Sequence, residues 1–279
     1  MEKFPALMKK MSRLSRDYPV SFYGGNKNRK LFQHVETFFM FLGHPRSGHS
    51  LIGSLLDAHP EIVCAHELGV LMHVFGCFSK KQVYYLLLKN SRMFTTKGRT
   101  SSGYSYFVPE QWQGKFKVIR AIGDKQGDGA VLRLQARPWL LKRLKQVINQ
   151  QFRAFHIIRN PFDNIATIST RHQMTLSQSI EYYFSLSETM CWAKDQLCPD
   201  ELFECRHEAF VAEPDKWLKA MCLFLGMNAS ENYLNSCKTI VFPSPRKTRH
   251  TVLWNKELIN LVEKKMRQFP FLQGYCYET

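Results

Sequence analysis

Residues 43 to 50, GHPRSGHS, directly follow the apolar run FFMFL and have the spacing of a phosphate-binding loop. Gly43, Gly48 and Ser50 occupy the positions that G-x-x-x-x-G-K-[ST] requires, but His49 stands in place of the lysine. A glycine-rich turn that opens a helix presents backbone N–H groups to an anion, whatever the anion is. Because the lysine serves the terminal phosphate of ATP, its replacement predicts a different anionic ligand.

Other residues that could bind an anion or transfer a proton also directly follow or end apolar runs. Arg46 lies inside the loop and supplies a cation there. Glu67 ends EIVCAHE, Lys125 ends IGDK, and Arg159 ends FRAFHIIR. The spacing HELGVLMH does not fit the zinc motif H-E-x-x-H, so a metalloprotease is not indicated.

The elements that must position these residues alternate along the chain. The segments ETFFMFLG, EIVCAHE, KVIRAIGD, FRAFHIIR and ELFECRHE predict strands, and apolar residues at helical spacing predict helices between them. Pro161 fits the first position of a helix, and Thr175 with Gln178 fits a capping box. This alternation predicts a three-layer α/β fold of the P-loop NTPase type, with a central, mostly parallel sheet flanked by helices. Ligands of such sheets bind beyond the carboxyl ends of the strands.

We divide the chain into a basic N-terminal segment, residues 1–35, and a single domain, residues 36–279. Apolar residues recur at helical spacing near the start, namely Phe4, Leu7, Met8, Met11 and Leu14. They predict a basic amphipathic helix that either docks on the domain or makes peripheral contact with a membrane. YGGNKNRK is expected to be a loop, and TTKGRTSSGYSYFVPEQWQGKF is expected to be a long loop over the substrate.

The composition narrows the class of partner. Lys and Arg number 39 against 23 Asp and Glu, and the net charge of +16 favours a nucleotide, an acidic polymer or a membrane surface. Aromatic residues are not interleaved with basic ones, so we expect no nucleic acid. No apolar run approaches the ~18 residues of a membrane span, which favours a cytoplasmic location. The 8 cysteines lack a C-x-x-C pair and are expected to be reduced thiols.

The loop PRSG, followed by a hydroxyl residue and a helix, resembles the 5′-phosphosulfate loop of the sulfotransferase family. The donor of that family is 3′-phosphoadenosine 5′-phosphosulfate (PAPS), and LIGSLLDAHPEIVCAHE is similar to its tyrosylprotein and carbohydrate branches. The resemblance implies that Glu67 is the general base, with His66 as the competing base, and that Lys125 faces the oxygen between phosphate and sulfonate. It implies that the phosphosulfate is bound by Arg46, Ser47, Gly48, His49 and Ser50.

The resemblance continues into the second half of the chain. RNPFDNIATISTR resembles the family's 3′-phosphate site, which implies that Arg159 and Thr167 bind this phosphate, with Arg171 one turn further on. SPRKTRHTVLW resembles the late basic loop over the cofactor, and its candidates are Arg246, Lys247 and Arg249. His207 stands where a tyrosine is usual.

Taken together, these matches imply an enzyme that transfers sulfonate from PAPS to an acceptor hydroxyl and releases 3′,5′-phosphoadenosine (PAP) without a metal. The acceptor could be a small molecule, a glycan or a peptide, and Tyr104, Tyr106, Phe107 and Trp112 are candidates for its pocket. Two alternatives stay open, a P-loop kinase or NTPase and a non-catalytic protein that binds phosphoadenosine or another anion. Relatives in the two branches are usually Golgi membrane enzymes, which is the alternative to a cytoplasmic location.

Overall fold

The computed structural model describes residues 3–101 and 103–278, with the backbone alone for residues 3–11. Seven strands are present in this part of the chain: β1 (Thr37–Leu42), β2 (Ile62–His66), β3 (Thr100–Ser101), β4 (Tyr104–Ser105), β5 (Ala121–Lys125), β6 (Gln151–Ile158) and β7 (Leu202–Arg206). Five of them form one sheet in the order β2-β5-β1-β6-β7, in which all pairs are parallel. β3 and β4 form a separate antiparallel hairpin. The predicted α/β fold with a parallel central sheet is confirmed.

Helices cover both faces of the sheet. They are α1 (Lys3–Lys27), α2 (His49–Leu56), α3 (Val70–Phe75), α4 (Lys80–Thr96), α5 (Gly127–Ala136), α6 (Trp139–Ile148), α7 (Pro161–His172), α8 (Leu176–Asp195), α9 (His207–Ala212), α10 (Pro214–Phe224), α11 (Glu231–Lys238) and α12 (Lys256–Met266). Within residues 3–101 and 103–278, four short 3₁₀ segments occur at Arg29–Phe32, Pro199–Glu201, Thr248–Thr251 and Pro270–Leu272.

The central strand β1 shows why two layers of helices are needed. Its sequence TFFMFL is buried at every position, so both of its faces require apolar partners. Phe38 and Met40 face a core shared with α4, α5 and α8. Phe39 and Phe41 face the opposite core, which α2, α10 and α11 complete. β1 is therefore held in the middle of the sheet, with the phosphate-loop sequence at its carboxyl end.

Two helix starts follow the predicted chemistry. Pro161 opens α7, and the side chain of Asn160 accepts a hydrogen bond from the backbone N–H of Phe162. At α8, Thr175 Oγ1 accepts from the N–H of Gln178, while Gln178 Oε1 accepts from the N–H of Thr175. Both capping predictions are confirmed.

Other expectations about local structure were wrong. The segment YGGNKNRK is not a loop throughout, because α1 continues to Lys27. Its Gly24 and Gly25 lie directly against Tyr85 and the backbone of Lys81, where a side chain would collide. This close packing on α4 outweighs the low helix propensity of glycine. The helices α5, α9 and α11 were not predicted.

The N-terminal helix is present, but the pattern of Phe4, Leu7, Met8 and Met11 falls on side chains outside the described residues. Further along α1, Leu14 packs against the core and Arg13 Nη2 donates to the carbonyl of Leu68 at 2.9 Å. The division at residue 35 stays a prediction. Among residues 3–101 and 103–278, no helix combines the length and the apolar character that crossing a membrane requires.

Candidate active site

A cavity of about 470 Å³ opens where β1, β2, β5 and β6 end. Its walls come from the loop after β1, the hairpin β3–β4, α7 and the segment 240–251. The predicted site residues that line it are Arg46, Gly48, His49, Ser50, Glu67, Lys125, Arg159, Thr167 and Arg171. The parallel sheet thus brings together groups that are far apart in the sequence.

The turn between β1 and α2 depends on its glycines. Gly43 and Gly48 have φ of 137° and 94°, and Gly48 caps the start of α2. A Cβ atom at Gly48 would lie 2.5 Å from Nδ1 of His207, so only glycine fits. Ser47 is buried beneath the turn, where its hydroxyl accepts a hydrogen bond from Asn164 Nδ2 at 2.7 Å. The start of α2 therefore offers its free N–H groups to the cavity.

His49 occupies the lysine position of the ATP-binding pattern with an uncharged ring. The ring is buried near Gly43 and Gly127 and packs edge-on against Phe41 at 5.7 Å. Burial, reinforced by the charge of Lys125, lowers the pKa of His49 well below its ordinary value, so the imidazole is neutral at neutral pH. The loop consequently has no cation at the position that serves a terminal phosphate.

Lys125 and Glu67 meet at the neighbouring strand ends. Lys125 Nζ lies 2.7 Å from Glu67 Oε1 and donates to Ser50 Oγ at 3.0 Å. The lysine side chain is 3% exposed, whereas that of the glutamate is 60% exposed. Partial burial acts to raise the pKa of Glu67, but the charge and the hydrogen bond of Lys125 outweigh it and hold the pKa below its ordinary value. Glu67 is therefore ionised and open to the cavity.

Arg159 links the far side of the cavity to the phosphate-binding loop. Its Nη1 donates to the carbonyl of Arg46 at 3.1 Å, and its Nη2 donates to the carbonyl of Arg246 and to Thr248 Oγ1. Thr167 Oγ1 hydrogen-bonds with Thr248 Oγ1 at 2.9 Å. The two predicted phosphate sites thus adjoin one another in one cavity.

Other residues that the sequence suggested lie elsewhere. Arg249 does not line the cavity: it is 1% exposed, and its Nη2 lies 2.6 Å from Asp163 Oδ2. His66, the competing base, stacks on Phe94 with ring centroids 3.9 Å apart and also lies outside the lining. Burial and the charge of Lys125 lower the pKa of His66 to about 3, which makes it a weak base.

The aromatic candidates divide in the same way. Tyr104 and Tyr106 line the cavity, whereas Phe107 and Trp112 do not. Arg246 lines it as well, and its Nη1 donates to the hydroxyl of Tyr104 at 2.8 Å. This bond connects the hairpin β3–β4 to the late basic segment. Lys247, the remaining basic candidate, lies outside the lining.

Two buried carboxylates that sequence reasoning did not use position these groups. Asp124, next to Lys125, accepts hydrogen bonds at 2.8–3.0 Å from the N–H groups of Leu68, Gly69 and Val70, which immediately follow Glu67. Asp57 of the LDAHP sequence lies 2.8 Å from Arg99 Nη1 and forms a buried ion pair with it. An acidic residue inside a predicted apolar segment is the signal that could have found Asp57.

No protein-family model matches this sequence, and no curated protein sequence matches it significantly. Solved structures do match the fold. The sulfotransferase domain from the curacin biosynthetic pathway aligns with a TM-score of 0.53 at 12% identity, over 85% of this chain and 98% of that one. This chain has the sulfotransferase fold.

Two further sulfotransferase structures agree. A sulfotransferase from Mycobacterium avium gives a TM-score of 0.53 at 12% identity, over 95% of this chain and 84% of that one. The sulfotransferase domain of the Synechococcus olefin synthase gives 0.50 at 15% identity, over 83% and 94%. None of these three is described as a tyrosylprotein or carbohydrate sulfotransferase, so nearness to those branches stays a prediction. These structural alignments establish the sulfotransferase fold. Their sequence identities are too low to show the activity, which depends on the residues of the site.

Proposed function

We propose that this chain is a sulfotransferase, which transfers the sulfonate of PAPS to an acceptor hydroxyl and releases PAP. The main support is the 3.1 Å hydrogen bond from Arg159 Nη1 to the carbonyl of Arg46. PAPS carries anionic groups on both sides of its ribose, so it requires two neighbouring anion sites in one cavity. A nucleotide with a single phosphate chain does not require the second site.

The residues in the cavity suit the two ends of this donor. The N–H groups at the start of α2, with Arg46 beside them, suit the 5′-phosphosulfate. Arg159 and Thr167 suit the 3′-phosphate, with Arg171 at the end of α7 as an outer cation. Arg159 Nε is buried and has no hydrogen-bond partner within the described part of the chain, so one donor of this guanidinium is unsatisfied.

Glu67 and Lys125 divide the work of transfer. The acceptor oxygen loses its proton to Glu67 and forms a bond to sulfur, while the bond between sulfur and the bridging oxygen breaks. The electron pair of that bond stays on the phosphate oxygen of PAP, where Lys125 donates a hydrogen bond to the developing charge. When Lys125 turns from Glu67 to this oxygen, Glu67 loses the partner that lowers its pKa. Its affinity for the acceptor proton therefore rises during the step.

Two other functions remain as alternatives. A P-loop kinase or NTPase would need a cation for the terminal phosphate, and the neutral, buried His49 argues against it. A non-catalytic protein that binds phosphoadenosine would use the same two anion sites, so binding alone does not distinguish it. The ionised Glu67 beside Lys125 is the observation that favours catalysis.

Two measurements test the proposed function, one for binding of the donor nucleotide and one for sulfonate transfer. PAP is expected to raise the melting temperature of the 279-residue chain and Mg-ATP is not; the reverse result would favour a kinase. Transfer of labelled sulfonate from PAPS is then measured with phenols, sterols, saccharides and tyrosine peptides, which also identifies the acceptor class.

Glu67→Gln tests the assignment of the base. The variant is expected to bind PAP normally and to lose about 10²- to 10⁴-fold in turnover, because glutamine cannot take the proton. Glu181→Gln, an exposed position on α8, is the matched control. Full turnover in Glu67→Gln would show that another group is the base.

A further inference from the structure

The segment after the hairpin β3–β4 is fixed by its backbone. The N–H of Tyr106 donates to the carbonyl of Arg99 at 3.0 Å, and the carbonyl of Tyr106 accepts from Gln113 Nε2 at 2.8 Å. Gln113 is buried, and its amide also donates to the carbonyl of Ser54. The backbone of Tyr106 is therefore held by hydrogen bonds that do not involve its phenol hydroxyl.

The phenol of Tyr106 reaches the proposed transfer site. It lines the cavity, and Gln113 joins the carbonyl of Tyr106 to that of Ser54, which is one turn of α2 beyond Ser50. Ser50 Oγ accepts from Lys125 Nζ, which in turn contacts Glu67 Oε1. Tyr106 thus lines the same cavity as the two groups assigned to proton transfer and to leaving-group stabilisation.

This arrangement fixes which part of the donor the phenol faces. In an in-line transfer, the general base and the leaving oxygen lie on opposite sides of sulfur. Glu67 serves the first side and Lys125 the second, and both line the cavity with Tyr106 at the end of α2 that carries Ser50. A hydroxyl at this place lies beside the sulfonate and not beside the 3′-phosphate.

We propose, resting on the function proposed above, that Tyr106 is a further residue of the transfer site and that its hydroxyl donates a hydrogen bond to a sulfonate oxygen. The N–H groups of the loop, with Arg46, suit the 5′-phosphosulfate, and the phenol adds a donor that only a ligand with the sulfonate can use. Burial raises the pKa of Tyr106, so the phenol keeps its proton at neutral and mildly alkaline pH and acts as a donor.

Calorimetric titration of Tyr106→Phe with PAPS and with PAP, in the absence of acceptor, tests this contact. PAP lacks the sulfonate, so the variant is expected to bind PAPS about 10-fold more weakly and PAP within about twofold of the unaltered protein. The backbone bonds of Tyr106 persist in this variant, so its melting temperature is expected to change little. Tyr104→Phe, two residues earlier in β4, is the matched comparison, and any loss of affinity there should be equal for the two ligands.

The outcomes are distinguishable. If the unaltered protein binds both ligands but Tyr106→Phe weakens them equally, or weakens neither, the contact with the sulfonate is wrong and the proposed function stands. If the unaltered protein binds neither PAP nor PAPS, the proposed function fails and takes this inference with it. Once an acceptor is identified, a reduced kcat of Tyr106→Phe at an unchanged KM for the acceptor would give independent support.

Discussion

The buried ion pair between Asp57 and Arg99 is expected to hold the segment that carries Tyr106. Arg99 Nη1 lies 2.8 Å from Asp57 Oδ2, and both side chains are 1% exposed. The carboxylate also accepts from Ser91 Oγ and from the N–H of Cys64. Arg99→Met keeps an apolar chain of similar length and removes the charge.

The expected loss of unfolding free energy in Arg99→Met comes from the carboxylate of Asp57, which loses its charged partner. A buried carboxylate would remain with neutral donors alone, and breaking a buried pair in this way costs about 3–5 kcal/mol of unfolding free energy. Burial already raises the pKa of Asp57 above its ordinary value of 3.8, and the loss of Arg99 raises it further. A carboxyl whose pKa is higher in the folded state binds more protons when folded, so stability falls as the pH rises above 3.8. The Arg99→Met variant should therefore lose more unfolding free energy at pH 8 than at pH 5.

Urea unfolding of the 279-residue chain at these two pH values measures the effect. The double variant Asp57→Asn, Arg99→Met should recover part of the loss at pH 8, because an amide carries no charge to desolvate. Arg92→Met makes the same substitution at an exposed position of α4 and should cost about 0.5 kcal/mol. A loss below about 1 kcal/mol in Arg99→Met, or an equal loss at both pH values, would refute the reasoning.

Three further predictions concern the site and its surroundings. Restoring the lysine of the ATP-binding pattern, His49→Lys, is expected to lower the melting temperature without creating Mg-ATP binding, because position 49 is buried beneath Gly43; tight Mg-ATP binding would contradict this. Arg249→Met should cost about 3–5 kcal/mol in urea unfolding, because it breaks the buried pair with Asp163, yet leave PAP affinity within about twofold; a large loss of PAP affinity would return Arg249 to the binding site. Burial lowers the pKa of His44 from 6.5 to about 3, so the unfolded chain takes up a proton on this ring first, and stability is lost as the pH falls below 6.5. Between pH 7 and pH 5 this one residue should contribute about 2 kcal/mol of that loss, which His44→Gln should abolish.

The sheet and the first half of the site could be predicted because their signals are local. Each strand is a short apolar run, and a polar residue at its carboxyl end lies at the same edge as the others once the strands are parallel. The pattern therefore predicts that Glu67, Lys125 and Arg159 lie at one edge of the sheet. The glycine spacing of residues 43–50 identified the turn, since the geometry of the turn itself demands those glycines.

The remaining features depend on partners that are distant in the sequence. Arg246 and Arg249 are three residues apart in one polar segment, and nothing in that segment shows which of them faces the cavity. The carboxylate of Asp163, 86 residues away in the sequence, pairs with Arg249 and removes it from solvent, so Arg249 does not face the cavity. Tyr106 likewise reaches the site through Arg99, whose own position depends on Asp57. Such pairings become visible only when the chain is folded.

The same dependence explains how Glu67 is held. Its φ of 60° is uncommon for a residue with a side chain and requires support from its surroundings. The N–H of Glu67 donates to the carbonyl of Lys125, and Asp124 accepts from the three N–H groups that follow. Because adjacent residues on a strand point to opposite faces, Asp124 can bind this backbone while Lys125 extends toward the carboxylate of Glu67. Asp124 and Lys125 therefore act together. The buried carboxylate of Asp124 fixes the backbone turn after Glu67, and the ammonium group of Lys125 keeps the side chain of Glu67 ionised.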